Sequence, residues 1–107
     1  MATVSSGYVN QQQLATEIEQ AIAKLGPGVV HVKYTVENDW SGEPAIYFRV
    51  TLTDEVCSND KTLDEVAERV TRTLFDGLRP LENWGLMAYF NFRSFSEQAA
   101  MSDPAWA

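Results

Sequence analysis

Apolar residues recur along this chain with two different periods, and the switches between them mark its elements. Leu14, Ile18, Ile22 and Leu25, with Ala15 and Ala21, fall three and four apart, the stripe of an amphipathic helix over residues 10–25. Asn10 suits its N-cap, and Gly26-Pro27-Gly28 ends it, since proline cannot extend the hydrogen-bond ladder. The period then drops to two. Val30, Val32, Tyr34 and Val36 alternate with His31, Lys33, Thr35 and Glu37; after a turn over residues 38–44, Ile46, Phe48, Val50 and Leu52 alternate with Tyr47, Arg49, Thr51 and Thr53. This predicts an antiparallel hairpin whose even-numbered side chains face the core.

Helical spacing returns at Leu63, Val66, Ala67, Val70 and Leu74. Thr62-Leu-Asp-Glu65 reads as a capping box that starts this second helix, Gly77 as its stop and Pro80 as the exit. Leu86, Ala88, Phe90 and Phe92 alternate with Met87, Tyr89, Asn91 and Arg93 in a third strand, and a short helical turn is expected near residues 97–101. The order is α-β-β-α-β. It predicts an α+β two-layer sandwich, a three-stranded sheet with two helices on one face. Strand order 2-1-3 is favoured because it makes every neighbouring pair antiparallel, while the helical crossover makes strands two and three parallel to each other. Residues 1–9 are expected to form a flexible arm, 10–95 a single domain and 96–107 a C-terminal tail.

A chain of 107 residues with 45% hydrophobic and 21% charged residues suits one globular domain. One cysteine, Cys57, precludes an internal disulfide, and with no basic-apolar leader or long apolar run in view the expected location is cytoplasmic. Net charge is −7, which disfavours nonspecific attraction to nucleic acid or anionic membranes.

Alternation sorts the polar strand residues as well. The face away from the helices is expected to show His31, Lys33, Thr35, Tyr47, Arg49, Thr51, Met87, Tyr89, Asn91 and Arg93, three fixed cations among ten positions with no carboxylate. Any register that keeps the apolar sets inward puts Lys33 and Arg49 opposite or diagonal to each other, an unfavourable pair unless an anion or solvent relieves it. Tyrosine, arginine and methionine are enriched at protein interfaces, and exposed aromatics flanked by cations also suit single-stranded RNA. No Gly-x-x-Gly loop accompanies the partial likeness in element order to a KH-type RNA-binding domain.

Candidate chemistry is sparse. Cys57 and His31 are the one nucleophile-and-base pair, yet Asp54, Glu55 and Asp60 surround the cysteine and oppose a thiolate. Glu37, Asp39 and Glu43 flank the hairpin turn without the spacing of a calcium loop, and one histidine with one cysteine make no zinc site. Trp40 and Trp84 are expected to cap the ends of the core; Trp106 either folds back or serves another protein as an aromatic anchor. The sequence therefore predicts no enzyme, no cofactor and no metal. It predicts an acidic protein-interaction module, an adaptor, antitoxin-like companion or complex subunit, binding a protein partner or a second copy through Lys33, Tyr47, Arg49, Tyr89, Arg93 and Trp106. Single-stranded nucleic acid on the same face is the alternative.

Overall fold

A computed structural model describes residues 11–107; the N-terminal arm and the Asn10 cap lie outside the described residues. The protein is a mixed α+β fold with helix α1 (Gln11–Ile22), strands β1 (Val29–Asn38) and β2 (Pro44–Leu52), helices α2 (Asp54–Cys57) and α3 (Asp60–Leu78), strand β3 (Met87–Ser94) and helix α4 (Phe95–Met101). A π-helical turn, Pro80–Trp84, precedes β3, and a 3-10 turn, Pro104–Trp106, follows α4. Leu14, Ile18, Ala21 and Leu25 from the first helical segment meet Val66, Val70, Leu74 and Leu78 of α3 in one core with Ile46, Phe48, Val50 and Leu52 of β2. Each large side chain fully buried there stabilises the fold by roughly 1.5 to 3 kcal/mol.

The sheet order is β1-β2-β3, with β1 and β2 antiparallel and β2 and β3 parallel. This corrects the 2-1-3 order expected from a preference for antiparallel pairs. Strands consecutive in the chain are neighbours more often than not, and here the crossover through α3 sets β3 parallel to β2 and directly beside it. Burial agrees, because the inward residues of central β2 are at most 1% exposed while Tyr34, Val36, Phe90 and Phe92 on the edge strands are half-buried.

The hairpin register pairs Lys33 with Arg49 and Thr35 with Tyr47. Alternation fails once. Val29 pairs with Leu52 and His31 with Thr51, so a bulge at the start of β1 turns Val29 toward the core and leaves Val30 46% exposed. Gly28, at φ +97°, sits just before it, and its carbonyl accepts from Thr53 N at 2.9 Å.

Helix α3 starts earlier and ends later than expected. Asn59, not Thr62, is its N-cap, accepting from Thr62 N at 3.1 Å; six residues upstream, Thr53 caps α2. Gly77 stays helical because the stop belongs to Arg79, which adopts φ 46° immediately before Pro80. Arg69, on the flank of α3, donates to the carbonyls of Leu25 and Pro27 and ties down the loop that leads into β1.

Candidate interaction face

Reading across the three strands, the outward residues fall into four rows: Glu37, Ala45 and Met87; Thr35, Tyr47 and Tyr89; Lys33, Arg49 and Asn91; His31, Thr51 and Arg93. Glu37 belongs to the first row and is exposed, which corrects the expectation of a face without carboxylates. Along the middle strand, Ala45 and Thr51 at the two ends are 0% and 3% exposed, while Tyr47 and Arg49 between them are only half-buried. On β2 the face is closed at both ends and open in the middle, while Glu37, Met87 and His31 on the edge strands of the end rows stay exposed.

The hairpin closes the first end. Ser41 N, Ser41 Oγ and Glu43 N donate to Asp39 Oδ1 at 2.9, 2.7 and 3.0 Å, and the Tyr89 hydroxyl donates to Oδ2 at 2.8 Å. Gly42 allows this tight turn by adopting φ +88°. The turn was expected to be solvated, yet Asp39 is buried at 9% exposure because its carboxylate exchanges water for four donors. Led by the Ser41 hydroxyl, with Tyr89, Glu43 and Ser41 N adding to it against partial burial, these donors hold the Asp39 carboxyl down to about 2. The same bond, with burial and the nearby Asp39 charge, pushes the Tyr89 phenol up to about 12.

A run of aromatic and cationic groups crosses the open middle. The Tyr47 and Tyr89 rings stack at 5.0 Å, the Arg49 guanidinium lies 5.5 Å from the Tyr47 ring centre, and Trp40 meets Tyr89 edge-on at 5.7 Å. Arg49 Nη1 donates to Thr35 Oγ1 at 3.0 Å, and that hydroxyl donates to Glu37 at 3.2 Å. The ion pairs among the described residues join Arg72 to Glu68, Arg79 to Glu82 and Arg93 to Asp103. Lys33 and Arg49 are in none of them. Trp40 does not cap the core: it is 82% exposed, whereas Trp84 packs against the core as expected. Trp40 therefore joins the face although alternation passes over it, because it belongs to a turn and not to a strand.

The C-terminal tail closes the second end. Ser94 caps α4 in a capping box with Glu97, and Asp54 accepts from both Ser96 N and the Ser96 hydroxyl, bonds that lower its carboxyl pKa. Ser102 reverses the chain at φ 51°, and the 3-10 turn lies back against β1 and β2. Trp106 is 6% exposed, with the Arg93 guanidinium 4.3 Å from its ring centre. Arg93 also donates to Gln98 at 2.9 Å and pairs with Asp103 at 3.5 Å. Trp106 thus docks in cis, which removes it from the set of accessible anchors; Arg93 is occupied by the tail.

Of the six residues expected to bind a partner, the structure brings Lys33, Tyr47, Arg49 and Tyr89 together on the open rows and places Arg93 and Trp106 in the closed one. Cys57 packs against the core, where burial first and then Glu97 and Asp54 push its thiol pKa up, while His31 sits in the outward rows. No group of three or more His, Cys, Asp or Glu side chains suited to a metal ion occurs among the described residues, and no helix there is long and apolar enough to cross a membrane. The chain matches no protein-family model, no curated protein and no solved structure.

Proposed function

We propose that the protein is a non-enzymatic interaction module that binds an acidic segment of a protein partner on the open rows of its outward face. The observation that carries this reading is the direct pairing of Lys33 with Arg49 in the middle of that face, with neither cation in an ion pair among the described residues of a chain of net charge −7. Like charges paired across strands raise each other's energy, and a carboxylate lying between them relieves both. Trp40 and Met87, exposed toward the hairpin end of the same face, add apolar contact of the kind that interfaces favour.

The stacked tyrosines favour a peptide over a nucleic acid. Base recognition on a sheet needs free ring faces, and Tyr47 already has Tyr89 stacked on it and Arg49 beside it. The test is an array of acidic peptides, each with one aromatic residue, run beside a random single-stranded oligonucleotide. Peptide binding that falls at least tenfold in Lys33→Glu/Arg49→Glu, with an unchanged melting temperature, supports the reading. Equal binding by that variant overturns it, and tight oligonucleotide binding that weakens steeply with salt replaces it with nucleic-acid recognition.

A further inference from the structure

The tail shows what kind of ligand the face accepts. Asp103-Pro104-Ala105-Trp106 is a short acidic segment that ends in an aromatic, and it is already seated on the face: its carboxylate pairs with Arg93 and its indole lies against the same guanidinium. We infer that this segment is an internal stand-in for the partner, and that the ligand is an acidic segment with an aromatic residue a few positions beyond its carboxylate. Such a ligand displaces the tail and runs from the Arg93 row toward Lys33 and Arg49. The inference rests on the proposed function and names the chemistry of the ligand.

Two features mark the tail as a replaceable occupant. Thr51 is 3% exposed in the row beneath it, yet Thr51 Oγ1 has no hydrogen-bond partner among the described residues, so the tail covers this hydroxyl without pairing it. A ligand that offers a backbone group there gains a bond that the tail does not make. The tail also reaches only one end of the cationic stripe: Asp103 serves Arg93, whereas Lys33 and Arg49, one row away, are in no ion pair among the described residues, Arg49 reaching Glu37 only through the Thr35 hydroxyl. The tail holds its place through proximity, since a tethered segment competes at an effective concentration on the order of millimolar.

The experiment uses the full chain with the tail unseated. A synthetic peptide of residues 102–107, Ser-Asp-Pro-Ala-Trp-Ala, is titrated into isotope-labelled wild-type protein, Trp106→Ala and Trp106→Ala/Arg93→Ala, following the amide signals of His31, Thr51 and Arg93. The expected result is saturable shifts at these residues in Trp106→Ala, with an affinity at least tenfold above that of the wild type and of the double variant. A peptide with alanine in place of tryptophan produces none. No shift in Trp106→Ala up to millimolar peptide, or equal shifts in all three proteins, overturns the inference. Should Trp106→Ala fail to fold, Asp103→Lys, at a partly exposed position, carries the same comparison. Lys33→Glu/Arg49→Glu fails separately: loss of array binding there with no tail-peptide binding here leaves the proposed function standing and removes only the stand-in.

Discussion

The two faces of β2 are buried by different means. Inward, Ile46, Phe48, Val50 and Leu52 are sealed along the whole strand by apolar side chains of two helices, so burial follows the period of the sequence. Outward, Ala45 and Thr51 are buried as deeply, but the structure beside them is polar: the Asp39 turn, bonded to Tyr89, at one end and a tail held through Arg93 at the other. The first kind of closure is continuous and independent of any one charged group. The second is local and polar, and along β2 it leaves the cationic middle open.

The largest effect separates the two closures directly. Phe48→Ala removes a fully buried ring from the core cluster and should cost about 3 to 5 kcal/mol, whereas Trp106→Ala, at a ring outside that cluster, should cost less and leave the far-ultraviolet circular dichroism unchanged. Equal destabilisation by the two in urea titrations, or loss of strand signal in Trp106→Ala, would make the tail part of the core.

The hairpin closure should respond to pH. Asp39 has its carboxyl pKa lowered from 3.8 to about 2, so its contribution is present above the unfolded value and is lost as pH falls through about 2. Tyr89 has its phenol pKa raised from 10.0 to about 12, so its contribution is present below 10.0 and is lost as pH rises through about 12. Asp39→Asn should therefore flatten the fall in stability between pH 3.8 and 2 relative to the wild type in acid titrations. Parallel curves would show that the bonds to Asp39 do not favour its charged form.

The smallest effect tests the bulge. Val30→Thr should change stability by no more than about 0.5 kcal/mol, as at an exposed site, while Val50→Thr puts a hydroxyl in the core at about 1 to 3 kcal/mol. Similar losses at both positions would mean that β1 pairs without the bulge.

Much of this was legible from periodicity. The α+β class, the three strands, the phase of β2 and β3 and the placing of Lys33 opposite or diagonal to Arg49 follow from a repeat of two, since one buried face fixes which side chains share it; the direct pairing was decided by the register of the hairpin. Helix boundaries were less legible because several residues can cap: Asn59 and Thr62 compete for the start of α3, and the αL stop fell to Arg79 through its proline neighbour rather than to Gly77. Trp40 was missed as part of the face because a turn has no period to read.

What the sequence determined by itself, apart from Val29 and Val30 at the bulge, was which strand residues turn toward the helices and which turn away, for side-chain direction in a strand is a local property of the backbone. The tertiary structure alone decided which strand lies in the centre, where the bulge falls and where the tail goes. Those depend on contacts between residues far apart in the chain, Arg93 with Trp106, Tyr89 with Asp39, Ser96 with Asp54, and such contacts leave no repeat in the sequence. The same distant contacts turn a row of outward side chains into a face with two closed ends and an open, cationic middle.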